Sequence, residues 1–198
     1  GKLKKDKSIK FDLISFIEKK NKFSFNNLNL SKNFKLISID SFNLDYLNSR
    51  NIQNQLFLKK DSSNYTIKGE SFDATKLIDQ IMDSDEEKSF LFNNFNSRIN
   101  LNIKKTYIDK VNFINNLSGE IDFKKNKIVN LVLRSIFPNN KKINLSIETN
   151  NQQEKITRLF TDYPKPLIKR YNFIKGFEEG YLDYYSLKKN GTSSSSLI

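Results

Sequence analysis

Few side chains in this sequence could carry out acid–base, nucleophilic or metal chemistry. The 198 residues include no His and no Cys. Without them the chain has no imidazole base, no Ser-His-Asp or Cys-His arrangement, no zinc-thiolate site and no disulfide framework. The six Gly are scattered, so no Gly-rich loop could hold a phosphate. We therefore expect no enzymatic activity, no catalytic residue and no cofactor.

The one dense acidic cluster consists of Asp83, Asp85, Glu86 and Glu87. A calcium loop would need a full pattern of alternating oxygen ligands and a Gly that turns the loop, and this cluster has neither. We interpret the cluster as a solvated loop and expect no metal site. A hydrolase that uses two carboxylates stays open as an alternative, although the sequence singles out no pair of acidic residues.

The net charge of +12 raises the question of a nucleic-acid partner. Most of the basic residues are Lys and are interspersed with acidic residues, and the five Arg lie at positions 50, 98, 134, 158 and 170. A phosphate-reading surface more often clusters its charge and uses Arg forks. We therefore attribute the charge to solvation and expect no nucleic-acid partner, with a basic nucleic-acid-binding domain as an alternative.

Strands would position most of the side chains, because apolar and polar residues alternate along much of the sequence. This alternation predicts an antiparallel sheet with one apolar and one polar face. A strand with a slip in register is predicted over 23–30, another over 34–39 and a third around Leu56 and Leu58. Turn residues separate the later strands at 125–126, 138–140 and Asn190-Gly191. The clearest apolar positions are Ile99, Leu101 and Ile103, then Ile121 and Phe123, then Val129, Leu131 and Leu133, and finally Ile143, Leu145 and Ile147.

Two short helices interrupt the predicted strands. Asp73 could cap the first, over 73–82, in which Ala74, Leu77, Ile78 and Ile81 share one face. The second begins at Pro166 and extends to about residue 175, with Leu167, Tyr171 and Ile174 on one face and Gly176 after its end. We predict a mainly β chain of the α+β class, with one long antiparallel sheet and both helices packed on its apolar side.

The sequence has the features of one β-rich segment, residues 1–198, of a larger protein. Its first residue is Gly, and the strand that follows Asn190-Gly191 has only begun when Leu197 and Ile198 are reached. The longest apolar runs are far shorter than the ~18 residues needed to span a bilayer. Asp12 and Ser15 interrupt the apolar run 11–17, and no cleavage site follows it. We expect any membrane anchor or export signal to lie outside this chain.

Three stretches resemble the C-terminal region of AsmA-like proteins, in particular the large YhdP-type envelope proteins. Residues 65–82 are similar to that family's strand-Gly-x-Ser-x-Asp-helix element, matched here by Gly69, Ser71 and Asp73. Residues 99–133 resemble its run of paired strands. The segment from Ile156 onward resembles its strand, helix and Gly-containing strand.

The resemblance implies a bacterial envelope protein that is tethered to the inner membrane, lies in the periplasm and contributes to outer-membrane biogenesis. Such proteins form a long, curved antiparallel sheet whose apolar groove shields phospholipid acyl chains between the two membranes. The implied partners are phospholipid and, through regions outside this chain, a membrane. The candidate lipid-contacting residues are Ile99, Leu101, Ile103, Ile121, Phe123, Leu131, Leu133, Ile143, Leu145 and Ile147.

The same ten residues would serve equally well in an ordinary closed core against helix 73–82. A structural or partner-binding β module without a lipid role is therefore the leading alternative. The two readings differ in whether the apolar face of the sheet is covered or open.

Overall fold

The computed structural model describes residues 2–3, 8–78, 94–171, 179–189 and 192–197. Fourteen strands within these ranges belong to one sheet. They are β1 Lys2–Leu3, β2 Ser8–Glu18, β3 Asn21–Ser31, β4 Leu36–Ser38, β5 Ser41–Leu47, β6 Gln53–Asp61, β7 Asn64–Asp73, β8 Arg98–Tyr107, β9 Phe113–Lys124, β10 Lys127–Ile136, β11 Lys142–Thr149, β12 Lys155–Thr161, β13 Leu182–Lys189 and β14 Thr192–Leu197.

The strands follow one another across the sheet almost in chain order. Thirteen form a single path from β1 to β14, and β4 pairs with β3 beside that path. All neighbours are antiparallel except β7 and β8, which run parallel. The described strands do not close into a ring, since β1 and β14 stand at the two ends of the path. The prediction of a mainly β chain with one long sheet is confirmed, and the sheet is mixed because of this single parallel pair.

Turn chemistry agrees with the hairpins that the sequence predicts. Lys125 and Asn126 both have positive φ values, 51° and 68°. Two consecutive positive φ values are typical of the type I′ turn that matches strand twist. Asn190 and Gly191 lie outside the described residues, but β13 and β14 on either side pair antiparallel with Lys189 opposite Thr192.

Both predicted helices are present in the described residues. The described part of α1 covers 75–78, and the Asp73 Oδ1 atom accepts a hydrogen bond from the backbone N–H of Thr75 at 3.1 Å, as an N-cap does. Helix α2 is Lys165–Tyr171. The predicted continuations, 79–82 and 172–175, lie outside the described residues. Leu77 is 45% exposed, so it does not share the packing of Ala74, which is 7% exposed.

A row of bulges changes the phase of the three central strands. Gln55 and Leu56 of β6 pair with Ser71 and Gly69, so β7 has one residue more at this point. Strands β7, β8 and β9 stay in register with one another, and β9 has one residue more than β10 between Ser118 and Asn115. An extra residue reverses the inward and outward alternation beyond it. Apolar positions therefore change phase halfway along these strands.

Two clusters of apolar side chains lie at opposite ends of the strands, on the same face of the sheet. The first cluster contains Leu28, Ile39, Tyr65, Phe95 and Ile99, with ten half-buried residues around it. The second cluster contains Ile108, Ile114, Phe137 and Leu167, with Ile78 packed against it. Since Ile78 is in α1 and Leu167 is in α2, both helices pack on the apolar side of the sheet, as predicted.

Candidate functional site

The ten candidate lipid-contacting residues share one face of the sheet. Ile99 is opposite Ile121, which is opposite Leu131, which in turn is opposite Ile147. Directly opposite residues point to the same face, and every second residue along a strand does so too. This register brings together side chains from β8, β9, β10 and β11. The complete set is Ile99, Leu101, Ile103, Ile121, Phe123, Leu131, Leu133, Ile143, Leu145 and Ile147.

Burial divides these ten residues. Ile99, Ile103 and Leu131 are 8%, 4% and 6% exposed, and the other seven are half-buried. Ile99, Leu101 and Phe123 belong to the first cluster and Ile143 to the second. The remaining six belong to neither cluster, and we call them the aliphatic strip: Ile103, Ile121, Leu131, Leu133, Leu145 and Ile147.

A glycine interrupts the side chains beside the aliphatic strip. Gly119 is opposite Leu101 on one side and Leu133 on the other. Its φ is 151°, and a Cβ built on it would lie 1.9 Å from the carbonyl oxygen of Val132. No side chain therefore fits at this position. The result is a gap among the aliphatic side chains of the face.

The opposite face of the same strands is polar. The Arg98 guanidinium donates two hydrogen bonds to the Asp122 carboxylate, at 2.6 and 2.8 Å. It also lies 3.0 Å from Glu120. These hydrogen bonds from Arg98 hold the pKa of Asp122 below its ordinary value. The sheet thus has a charged face and an apolar face over the strands that carry the candidates.

An arginine fixes the end of the apolar face at which β7 passes into α1. The Arg50 Nη2 atom lies 2.5 Å from the Asp73 carboxylate, and Arg50 Nε donates to the same oxygen at 3.0 Å. Arg50 also donates to the Asp109 backbone carbonyl and to the Thr75 hydroxyl. Asn48 donates to Asp73 at 2.6 Å. One guanidinium therefore joins the β5–β6 turn, the start of α1 and the β8–β9 turn.

Two carboxyl groups at this end have lowered pKa values. Burial acts to raise the pKa of Asp73, but hydrogen bonds from Thr75 and Arg50 and the charge of Arg50 outweigh it. Burial acts in the same direction on the pKa of Asp109, where hydrogen bonds from Asn112 and Val111 and the charge of Arg170 prevail. Both groups are therefore held as carboxylates that join segments of the chain.

The sequence predicts no metal site, and the structure describes only some of the acidic residues on which this prediction rests. Among the described residues, no group of three or more acidic side chains is placed to hold a metal ion. The cluster of Asp83, Asp85, Glu86 and Glu87 lies outside them. Within the same ranges, no helix has the length and apolar character that crossing a bilayer requires.

Several apolar residues of this face were not among the candidates from sequence. Phe11 and Ile14 of β2, and Phe25 and Phe42 of β3 and β5, lie on the same face and pack against the first cluster. Apolar and polar residues do not alternate strictly in β3, where Asn27 has a φ of 49°. As a result Phe25 and Leu28, on either side of Asn27, both point to the apolar face. In the sequence, the slip in register predicted over 23–30 is the feature that indicates this extension of the apolar face.

No family model, curated protein or solved structure matches this chain. The resemblance to AsmA-like proteins consequently stays a prediction, which rests on residues 65–82, 99–133 and the segment from Ile156.

Proposed function

We propose that this chain is a non-enzymatic, lipid-shielding segment of a cell-envelope protein, whose apolar sheet face covers phospholipid acyl chains during transport between membranes. The observation that carries the proposal is the shared face of the ten candidates on a sheet that is not closed. The same proposal places the chain in the periplasm, in an AsmA-like protein that is tethered to the inner membrane by a region outside this chain.

The amount of exposed surface agrees with a sheet that is not folded into a compact globule. The chain exposes 13451 Å². A compact globular protein of this size exposes about 9,700 Å². Seven of the ten candidates are half-buried, which is unusual for large apolar side chains in a closed core. Such a face has apolar area that an acyl chain could cover.

The energetics of lipid transfer explain what this face would contribute. Each CH₂ group that leaves water for an apolar surface gains about 0.8 kcal/mol, so two sixteen-carbon chains represent on the order of 25 kcal/mol. A sheet that covers even part of the chains lowers this barrier, and the task needs no general base or nucleophile. The absence of His and Cys is compatible with this role.

Native mass spectrometry of the purified chain tests the proposal directly, because retained phospholipid adds a defined mass. We expect phospholipid to co-purify with the natural sequence. The double variant Leu133→Asp/Leu145→Asp places two charges at facing positions of the aliphatic strip. It should reduce retained lipid roughly tenfold, since two apolar contacts are replaced by charges.

The chain offers a matched control one residue along each strand. Val132 and Ser146 also face each other, on the opposite side of the sheet. The variant Val132→Asp/Ser146→Asp adds the same charges to the same strands and should retain lipid. Lipid-free protein from the natural sequence, or equal loss of lipid in both variants, would refute the proposal and favour a structural β module.

A further inference from the structure

A cleft of about 500 Å³ opens on the apolar side of the sheet, at the end where β7 passes into α1. Its floor is made by Phe23, Leu44, Tyr46 and Phe72, with the buried Asn54 of β6 opposite Tyr46. Phe23 is opposite Leu44, and the rings of Phe23 and Tyr46 lie 5.6 Å apart. From β3 to β7 this floor crosses three strand spacings, or about 14 Å. Apart from Asn54, the floor is therefore an apolar surface, long enough for part of an alkyl chain.

The rim of the cleft is cationic. Arg50, Lys76 and Lys110 line it together with a single acidic residue, Asp73. Asp73 is already paired with Arg50. Lys76 and Lys110 are exposed and make no ion pair with another described residue. Two positive charges at the mouth of an apolar cleft thus have no ion-pair partner among the described residues.

We propose that this cleft binds an amphiphile with an acidic headgroup, the alkyl chain on the aromatic floor and the headgroup between Lys76 and Lys110. This inference rests on the proposed function and adds the charge of the headgroup to it. The volume lies in the range of small-molecule sites, about 300–1,000 Å³. A free inorganic anion would leave the floor in water, and a neutral amphiphile would leave both lysines without an ion-pair partner among the described residues.

Three probes separate the contributions of tail and charge. Dodecyl phosphate has both, dodecyl maltoside has the same tail without charge, and inorganic phosphate has the charge without the tail. The chain contains no Trp. A Phe72→Trp variant therefore carries a single indole in the floor, and its fluorescence reports binding, with calorimetry on the natural sequence as a check. Both detergents are used below their micelle-forming concentrations.

We expect dodecyl phosphate to bind about tenfold or more tightly than dodecyl maltoside, because two cations face its headgroup. The variant Lys76→Glu/Lys110→Glu should abolish this preference. The control Lys59→Glu/Lys68→Glu changes charge equally at exposed positions of β6 and β7 on the opposite face, and it should keep the preference. Circular dichroism and thermal unfolding of both variants establish that they are folded.

Equal affinity for the two detergents would overturn the inference. The same holds if inorganic phosphate binds as tightly as dodecyl phosphate, or if both double variants behave alike. A different result would refute the proposed function: mass spectrometry would find no phospholipid bound to the natural sequence. If the natural sequence retains lipid but the variant Lys76→Glu/Lys110→Glu keeps the preference for dodecyl phosphate, the proposed function stands and this inference alone is wrong.

Discussion

At the scale of single residues, Arg50 illustrates how one side chain can hold together segments distant in sequence. Its partners are Asp73, Thr75 and the backbone of Asp109. The Arg50 and Asp73 side chains are 25% and 11% exposed. Removing one partner of such a pair leaves the other with unsatisfied hydrogen bonds.

Replacement of Arg50 by Ala should therefore lower the free energy of unfolding by about 1–3 kcal/mol. Arg134→Ala is the control, since Arg134 is exposed, and it should change stability by less than about 0.5 kcal/mol. Urea unfolding followed by circular dichroism measures both. Similar midpoints for the two variants would show that the Arg50 contacts contribute little.

The lowered pKa of Asp73 gives stability a defined dependence on pH. A group whose pKa is lower in the folded state stabilises the fold above its unfolded pKa of about 3.9, and this contribution is lost as pH falls through the folded value. Asp73→Asn keeps a good N-cap and removes the titration. The variant should lose less stability than the natural sequence between pH 5 and pH 3, by urea unfolding at each pH. Parallel losses would contradict this assignment.

At the scale of strands, the sequence pattern predicted some features and missed others. Unbroken alternation in 99–103 and 143–147 identified β8 and β11 and the face they share. The row of bulges was not predicted, because an extra residue looks like loss of pattern unless the neighbouring strands are known. In β8, Ile103 and Thr106 are both buried, although strict alternation would put them on opposite faces.

Interactions between distant segments also escaped prediction. The cleft combines residues from β3, β5, β6, β7, two turns and α1, and no local spacing reveals that they meet. In the sequence, nothing distinguishes Arg50 from the other four arginines. Its partners lie 23 and 59 residues further along the chain, so only the fold brings them together.

The strand that carries Gly119 allows a test of how tightly β9 and β10 approach. Gly119→Ala should lower the free energy of unfolding by about 2 kcal/mol or more, because the new Cβ would overlap the Val132 carbonyl. Ser118→Ala, at the adjacent exposed position on the polar face, should change it by less than about 0.5 kcal/mol. Urea unfolding measures the stability of both variants. Equal stability would mean that β9 and β10 can move apart to accommodate the new Cβ at little cost.

At the scale of the whole molecule, the sheet is long in one direction. Twelve spacings along the path of thirteen strands amount to about 58 Å. A compact protein of this length has a radius of gyration of about 16 Å. Small-angle X-ray scattering of the monomer should give a larger value, roughly 19 Å for a sheet of this length. A value near 16 Å would mean that the sheet folds back on itself in solution.

The parallel pairing of β7 with β8 has a consequence for the order in which the chain acquires its structure. Antiparallel neighbours joined by short turns form as local hairpins within microseconds. The β7–β8 contact must instead close the connection 74–97, at an entropic cost on the order of 2 kcal/mol above that of a two-residue turn. Strands β1–β7 and β8–β12 are therefore two ladders that can each form from local hairpins. The joining of β7 to β8, like the pairing of β12 with β13 across residues 162–181, is a separate and slower step of folding.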